Sequence, residues 1–476
     1  MNQSQLAYQL QFDRNDVKVA IICATYQPRR SYQENLWAET LADMKMDVCL
    51  FHPTPLTSGK HTTTTHTHAP LHQAMHHAHI ETPLGHCYQT QAIPSLYLPS
   101  HQYITQDLSP AVIEFQPHLI IVFGAIMHFC RSLCTDPALA HVPLITIFSL
   151  NRVGRHPFRW WGGGLSWRQR ALGLAFHLVR MPDAFQAIRR SSLSIANTPE
   201  ATDILRQFIH GDMRIQWARK HIELPLGFCP HTFFFDTKTR NKGRRQLLHH
   251  TLSTPSVEQS KPSILLLFSS RFVADKWPAI LKVWRCVEQC MQQSMQQSMQ
   301  NHMQASSKQQ IDLNEQTHHS HVPNIHMLWI GLNENKESHQ LRDLIQKSKY
   351  QQHHHAIPFV SRDMLSMYYQ SADIILFPQA SISCQEAMGT GAHIYTIADP
   401  ALNHLQQLYD RLWMVDVEQW PHSLFQMIHH KYVLDDDIRH QSATQVRTHL
   451  AYPNLVKEAF RQLAYNLSET GEKISY

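Results

Sequence analysis

Arg271 and Lys276 are the pair in this 476-residue chain whose types and spacing speak most directly of chemistry. They stand five apart in residues 269–276 (SSRFVADK), directly after an apolar run, residues 264–268 (ILLLF). That run has the length of one buried parallel strand, so one cation falls in the loop and the other at the entrance of the next helix. Two cations there neutralise a diphosphate leaving group without a metal, because stabilising developing charge is the main catalytic need. Gly331 ends the following strand, residues 325–331. The stretch 372–391 (ADIILFPQASISCQEAMGTG) has the same layout. A strand at 374–377 is stopped by Pro378, Ser381 and Ser383 occupy a polar loop, and Glu386 opens a run of helix formers that closes at Gly389 and Gly391. A helix start offers N–H groups and a positive dipole end to an anion, and a carboxylate there accepts hydrogen bonds from a sugar diol. The competing reading is that Glu386 only caps its helix.

The elements that must hold these residues read as α/β throughout. Residues 17–24 (VKVAIICA) form a first strand, 32–45 a helix and 46–51 a second strand, a β-α-β unit. Its first loop carries Arg29 and Arg30 where dinucleotide-binding folds carry glycines, so no GxGxxG fingerprint is present. Residues 119–124 and 143–148 are further buried strands, with a helix-compatible stretch at 126–133 between them. Residues 194–197 run into Thr198 and Pro199, an N-cap followed by proline at the first helical position. Residues 222–227 are another short strand. After a polar stretch at 236–261, expected to be a linker, the rhythm restarts with strands at 264–268, 325–331, 356–360, 374–377, 394–397 and 414–417. A helix at 364–371 places Leu365, Tyr368 and Tyr369 on a core face, and 455–467 is a last amphipathic helix. The expectation is two doubly wound Rossmann-like domains whose strand ends face a central cleft, at 1–235 and 262–450, with a C-terminal helical segment at 451–476.

Two tracts interrupt this pattern. Residues 53–91, rich in His and Thr, read as a solvated insertion, loose metal binding being the alternative; residues 288–322, rich in Gln and Met, read as a second low-complexity insertion. Apolar content of 43% excludes a disordered chain, and a formal charge of +5 is too small to argue for nucleic acid. Nine cysteines, an odd number in no disulfide-like or zinc-like spacing, fit a reducing compartment and no metal site. The polar N-terminus has no signal-peptide core, and the most apolar run, 119–130, is too short to span a bilayer. A cytoplasmic protein is expected, or one held at the inner face of the plasma membrane. Residues 152–190 interleave Arg152, Arg155, Arg159, Arg168, Arg170 and Arg180 with Phe158, Trp160, Trp161 and Trp167. That composition suits anionic lipid headgroups or a lipid-linked diphosphate acceptor, and equally a partly packed helix with solvated arginines.

SSRFVADKW resembles the GRxxxxKG element of retaining GT-B glycosyltransferases of family 4, and LWIGLN the glycine-ending strand that follows it there. FVSRDMLSMYYQSADIILFP resembles the segment leading to the donor site, and QEAMGTG its EAMA-x-G signature. SYQENLWAETLADMKMDVCLF, IANTPEATDIL and IELPLGFCPHTFF resemble the N-terminal domain of a surface- or capsular-polysaccharide branch. The resemblance covers most of the chain outside the two tracts. It implies a sugar transferred from a nucleotide-diphosphate donor to a glycan or lipid-linked acceptor, with retention of configuration and no cofactor or metal. By position, Arg271 and Lys276 would hold the diphosphate, and Glu386 the ribose, with Gly331, Ser381 and Ser383 nearby. His156 is the nearest match to a histidine that touches the transferred sugar.

The chain departs from the family at three places. The first of its two glutamates falls on Pro378, the glycine-rich first loop is Arg29–Arg30–Ser31, and the glycine before Arg271 is Ser270. These departures motivate the alternative of a non-catalytic relative that binds nucleotide or glycan as a scaffold or partner subunit.

Overall fold

The computed structural model describes residues 5–6, 9–10, 16–24, 26–28, 32–55, 77–98, 102–105, 107–124, 128–149, 167, 171, 182, 184–251, 263–308, 324–379, 381–429 and 435–472. The expectations attached to His156, to Arg29, Arg30 and Ser31, and to the arginines from Arg152 to Arg180 lie outside these residues. The chain divides into two compact units, Met1–Gly227 with Leu450–Tyr476, and Phe228–His449.

The first unit is built on a nine-stranded sheet. Its strands are β1 (Lys18–Cys23), β2 (Asp47–Pro55), β3 (His77–Glu81), β4 (Cys87–Leu98), β5 (Gln102–Ile104), β6 (Leu119–Phe123), β7 (Leu144–Phe148), β8 (Leu193–Ala196) and β9 (His221–Glu223). They lie in the order β3-β4-β2-β1-β6-β7-β8-β9, with β5 paired to β4. The strands from β4 to β9 in that order pair in parallel, whereas β3 and β5 run antiparallel to β4. The continuous apolar runs occupy the centre because helices cover both faces of a parallel sheet. Helix α1 (Gln33–Asp43) is buried along nearly its whole length and packs against the C-terminal helix Tyr452–Glu472. Beyond α2 (Leu108–Phe115), α3 (Pro199–Phe208) starts as its sequence implies: Thr198 Oγ1 accepts the Ala201 N–H at 3.1 Å, with Pro199 next in line. Helix α4 (Gly211–Arg219) follows.

Reading residues 53–91 as one solvated insertion needs correction at both ends. Strand β2 runs on through Pro55, and the β3–β4 hairpin extends the sheet, with Tyr88 and Thr90 buried. A strand near a sheet edge alternates polar with apolar residues, and the His/Thr composition concealed that alternation.

The second unit carries six parallel strands: β10 (Ser263–Ser269), β11 (Asn324–Leu332), β12 (His354–Pro358), β13 (Ile374–Phe377), β14 (His393–Ile397) and β15 (Leu412–Val415). Their order is β12-β11-β10-β13-β14-β15, so the direction of winding reverses between β10 and β13. Ligands of open α/β sheets bind outside the carboxyl ends of the strands at that reversal.

Two further readings are corrected here. Residues 236–261 are not an irregular linker: α5 (Thr237–Thr251) occupies most of them and packs within the second unit. Two of its arginines, Arg240 and Arg244, point inward. Arg240 donates to the carbonyls of Gln370, Ser371 and Ala372, and Arg244 to those of Ser371 and Ser263. Gly243 is where α5 meets Ser371, whose hydroxyl a methyl group would strike. Nor is the low-complexity tract at 288–322 an insertion from its first residue: as far as Lys308 it continues the helix after β10. Helix α6 runs from Trp277 to Lys308, because Gln and Met are good helix formers and the repeat holds no glycine or proline. The remaining helices of this unit used below are α7 (Lys336–Lys347), α8 (Arg362–Ser371), α9 (Ile382–Met388), α10 (Trp420–His429) and α11 (Asp436–Leu450). Among the described residues no helix is long and apolar enough to cross a membrane.

Candidate functional site

The loop after β10 is held from beneath by β11. Ser270 N–H donates to the Ile330 carbonyl at 3.2 Å, and Gly331 follows with φ +107, a conformation open to glycine. A methyl group on Gly331 would run into the Ser270 carbonyl oxygen. Gly331 therefore lets two strand ends approach at the base of the Arg271 loop, a reason for glycine that stands without any ligand. Asn335, which caps α7 by accepting Ser338 N–H at 2.9 Å, also donates to the Phe272 carbonyl and anchors the loop's far side.

Lys276 ends this loop. Its N–H bonds the Val273 carbonyl at 3.0 Å, and its Nζ donates to Ser270 Oγ at 3.3 Å, so the ammonium turns back over the loop instead of extending into water. Burial pulls its pKa below the usual lysine value, and the Arg271 guanidinium lowers it further, while Asp275 opposes the shift. Arg271 is exposed. Two cations held together, one of them partly desolvated, form a place where an added anion is favourable.

The Glu386 element differs from its sequence reading. Helix α9 begins at Ile382 behind Ser381, whose backbone is extended (φ −154, ψ 156) and whose side chain makes no capping bond. Glu386 thus lies one turn inside the helix and is not its cap, and only 1% of it is exposed. Ser383 is in the first turn. The close of the segment is fixed by Gly391 at φ +67, where a methyl group would meet the Arg439 backbone.

Beneath α9 lies Tyr369 of α8, wholly buried. Its phenol shares a 2.5 Å hydrogen bond with Ser269 Oγ, the last residue of β10. Its pKa is pushed well above the usual tyrosine value by burial, with the facing Glu386 carboxylate adding to the rise and hydrogen bonds to Ser269 and Ser383 opposing it. The core-face spacing of α8 correctly placed Tyr369 inside, but not its bond to the end of β10. A buried tyrosine needs a partner for its hydroxyl, and that requirement was the available signal.

The carboxyl end of α8 is fastened by three arginines. Arg439, fully buried on α11, donates to the carbonyls of Ala372 (2.7 Å), Tyr369 (3.3 Å) and Thr390 (3.4 Å). Burial pulls its pKa down to about 9. Arg240 and Arg244 supply the rest and pair with Asp373 at 2.8 and 2.7 Å. Cations at a helix carboxyl end satisfy the orphan carbonyls and suit the helix dipole.

Pro378, which supplies no carboxylate, borders a cavity of about 410 Å³ between the start of α6 and the ends of β13, β14 and β15, lined also by Asp275, Lys282, Asp416 and Glu418. Among the described residues no group of three or more His, Cys, Asp or Glu side chains is arranged to hold a metal ion. The structure therefore gathers Arg271, Lys276 and Gly331 at the ends of β10 and β11, and Ser381, Ser383 and Glu386 beyond β13, with Tyr369 between the two groups.

No family model matches the chain, and no curated protein matches it in sequence. Solved structures do. Sucrose-phosphate synthase from Thermosynechococcus elongatus is similar with a TM-score of 0.56 at 13% identity, over 96% of this chain and 99% of that one. The catalytic domain of starch synthase IV from Arabidopsis thaliana, bound to ADP and acarbose, has a TM-score of 0.56 at 11% identity, over 95% and 100%. Anabaena HepE in complex with UDP-glucose has a TM-score of 0.54 at 11% identity, over 95% and 99%. The fold of this chain is GT-B, with two Rossmann-like domains.

Proposed function

We propose that this protein is a glycosyltransferase that moves a sugar from a nucleotide-diphosphate donor to a glycan or lipid-linked acceptor in surface-polysaccharide synthesis. The observation that carries the reading is the Arg271–Lys276 pair at the winding reversal of the second unit, with Lys276 drawn back onto Ser270. In this reading the acceptor hydroxyl oxygen forms a bond to the anomeric carbon as the bond from that carbon to the diphosphate oxygen breaks. The acceptor proton leaves with the diphosphate or passes to solvent, and Arg271 and Lys276 take up the charge that develops on the leaving group. Glu386 accepts hydrogen bonds from the donor ribose. Charge neutralisation by side chains needs no metal or cofactor, and the resemblance to family 4 favours retention of configuration. A protein working on a lipid-linked acceptor would act at the inner face of the plasma membrane. The neighbours were solved with UDP-glucose and with ADP, which supports a nucleotide-bound donor.

One observation favours a second reading. Pro378 stands where the resemblance places a glutamate, so a nucleotide-binding relative without turnover is the alternative. Nucleotide release from a panel of UDP- and GDP-sugars, with Arg271→Ala and Lys276→Ala as controls, separates the two. Turnover lost in both variants supports the transferase; tight binding with no turnover for any donor and acceptor supports the relative.

A further inference from the structure

Ser270 and Phe272 flank Arg271, and each is tied to β11 or to the turn that follows it. Ser270 N–H donates to the Ile330 carbonyl at 3.2 Å, and the Phe272 carbonyl accepts from Asn335 Nδ2. The Phe272 ring is fully buried and lies edge-on to Phe268, with centroids 5.8 Å apart. The backbone on either side of Arg271 is therefore fixed, while its side chain is exposed. Asn335 is committed in two directions. Its Oδ1 accepts the Ser338 N–H at 2.9 Å as the cap of α7, which leaves its amide nitrogen to face the Phe272 carbonyl, so the two partners set the orientation of the amide. Its own N–H donates to Asn333 Oδ1 at 3.2 Å, and that oxygen also accepts from the hydroxyl of the wholly buried Ser338 at 2.9 Å. Asn333 N–H in turn donates to Ser338 Oγ at 3.1 Å. Capping needs only the oxygen, which serine or aspartate supplies as well. The nitrogen, with the reach to deliver it, is what asparagine adds.

We propose that Asn335 is a positioning residue of the diphosphate site: its side-chain amide holds the Phe272 carbonyl and thereby fixes the loop that presents Arg271 to the donor diphosphate. This inference rests on the proposed function. It adds that diphosphate affinity depends on a group at the start of α7 that touches no ligand. The two bonds of that one amide serve different ends, the oxygen the helix and the nitrogen the loop.

The two ends are separated by two substitutions. Asn335→Ser keeps a capping oxygen and loses the nitrogen; Asn335→Ala loses both. UDP, ADP and GDP are each titrated into the full chain by calorimetry, and melting temperatures are read alongside. Affinity for the diphosphate that wild type binds falls about fivefold or more in Asn335→Ser. It falls by the same factor, within about twofold, in Asn335→Ala, although Asn335→Ala melts below Asn335→Ser because the cap is gone too. Affinity thus follows the nitrogen, and stability follows the cap as well. In an Arg271→Ala background, Asn335→Ser costs less than about twofold, since the loop then has no guanidinium to present. A loss that tracks melting temperature, or the full loss in the Arg271→Ala background, overturns the inference. If Asn335→Ser binds as tightly as wild type, the inference fails and the proposed function stands. If wild type binds none of the three diphosphates, the proposed function itself fails.

Discussion

The Arg240 guanidinium and the Asp373 carboxylate, 133 residues apart in the chain, meet at 2.8 Å with both side chains nearly removed from water. Asp373 also receives Arg244 at 2.7 Å and the Leu265 N–H of β10 at 2.9 Å. One carboxylate thus joins α5, the α8–β13 junction and the strand that leads to Arg271. Removing one partner from a buried pair leaves an uncompensated charge and costs about 3–5 kcal/mol. Asp373→Ala is expected to destabilise the second unit by that amount in urea unfolding at pH 7. A change below about 1 kcal/mol would show the pair to be ornamental.

Acid should weaken the same unit in two stages. His326 Nδ1 lies 3.3 Å from His355 Nε2; burial first, and then His353, His355 and Arg244, lowers His326 to about 3, and burial first, and then His354 and His353, lowers His355 to about 4. Their folded pKa values are below the unfolded value of about 6.5, so the unfolded chain takes protons that the folded one refuses. Stability is therefore full above that pH and declines as it falls. Asp373 acts lower. Burial alone would raise its pKa, but Arg244 and Arg240 outweigh it and hold the carboxyl below the ordinary aspartate range. Its contribution is present above the unfolded aspartate pKa and is lost as pH falls through the folded one. Urea midpoints between pH 7 and 3 should fall in both ranges, and His326→Leu should flatten the upper one alone.

Gly331→Ala tests the strand approach beneath the Arg271 loop. The substitution meets both a positive φ and the Ser270 carbonyl, and strain of this kind costs about 1–3 kcal/mol. A lower melting temperature is expected, with diphosphate affinity reduced more than tenfold because Ser270, the acceptor of the Lys276 ammonium, is displaced. Gly85→Ala, at φ +83 with open space around it, carries the backbone strain without the clash and should leave affinity unchanged.

How far the sequence showed all this depends on the range of each interaction. Buried parallel strands such as Ile374–Phe377 declare themselves by local apolar runs, and the Arg271–Lys276 loop by the strand before it. Helix α5 did not, because its polar arginines become structural only when Asp373 and the end of α8 arrive from more than a hundred residues away. Glu386 was visible as a residue but misplaced as a helix start, since α9 begins earlier at Ile382, where Ser381 marks the boundary by its backbone and not by a side-chain bond. Tyr369 was visible as core, yet its hydroxyl acquires a purpose only through Ser269, a hundred residues earlier at the end of β10.

Lys276 gives the prediction most specific to the proposed chemistry. Burial and Arg271 lower its pKa, so in the free protein the ammonium loses its proton at a lower pH than an ordinary lysine. A bound diphosphate favours the charged form and raises that pKa again, so binding is coupled to protonation. Affinity should be flat near neutral pH and fall as pH rises through the free-protein pKa of Lys276, below the ordinary lysine value of about 10.4. Lys276→Arg, whose guanidinium stays charged throughout, should bind more weakly at pH 7 because the geometry differs, yet show no alkaline decline. Calorimetric titration of a nucleoside diphosphate from pH 7 to 10 reads both curves. Equal slopes in wild type and Lys276→Arg would remove Lys276 from the diphosphate and leave Arg271 as its cation.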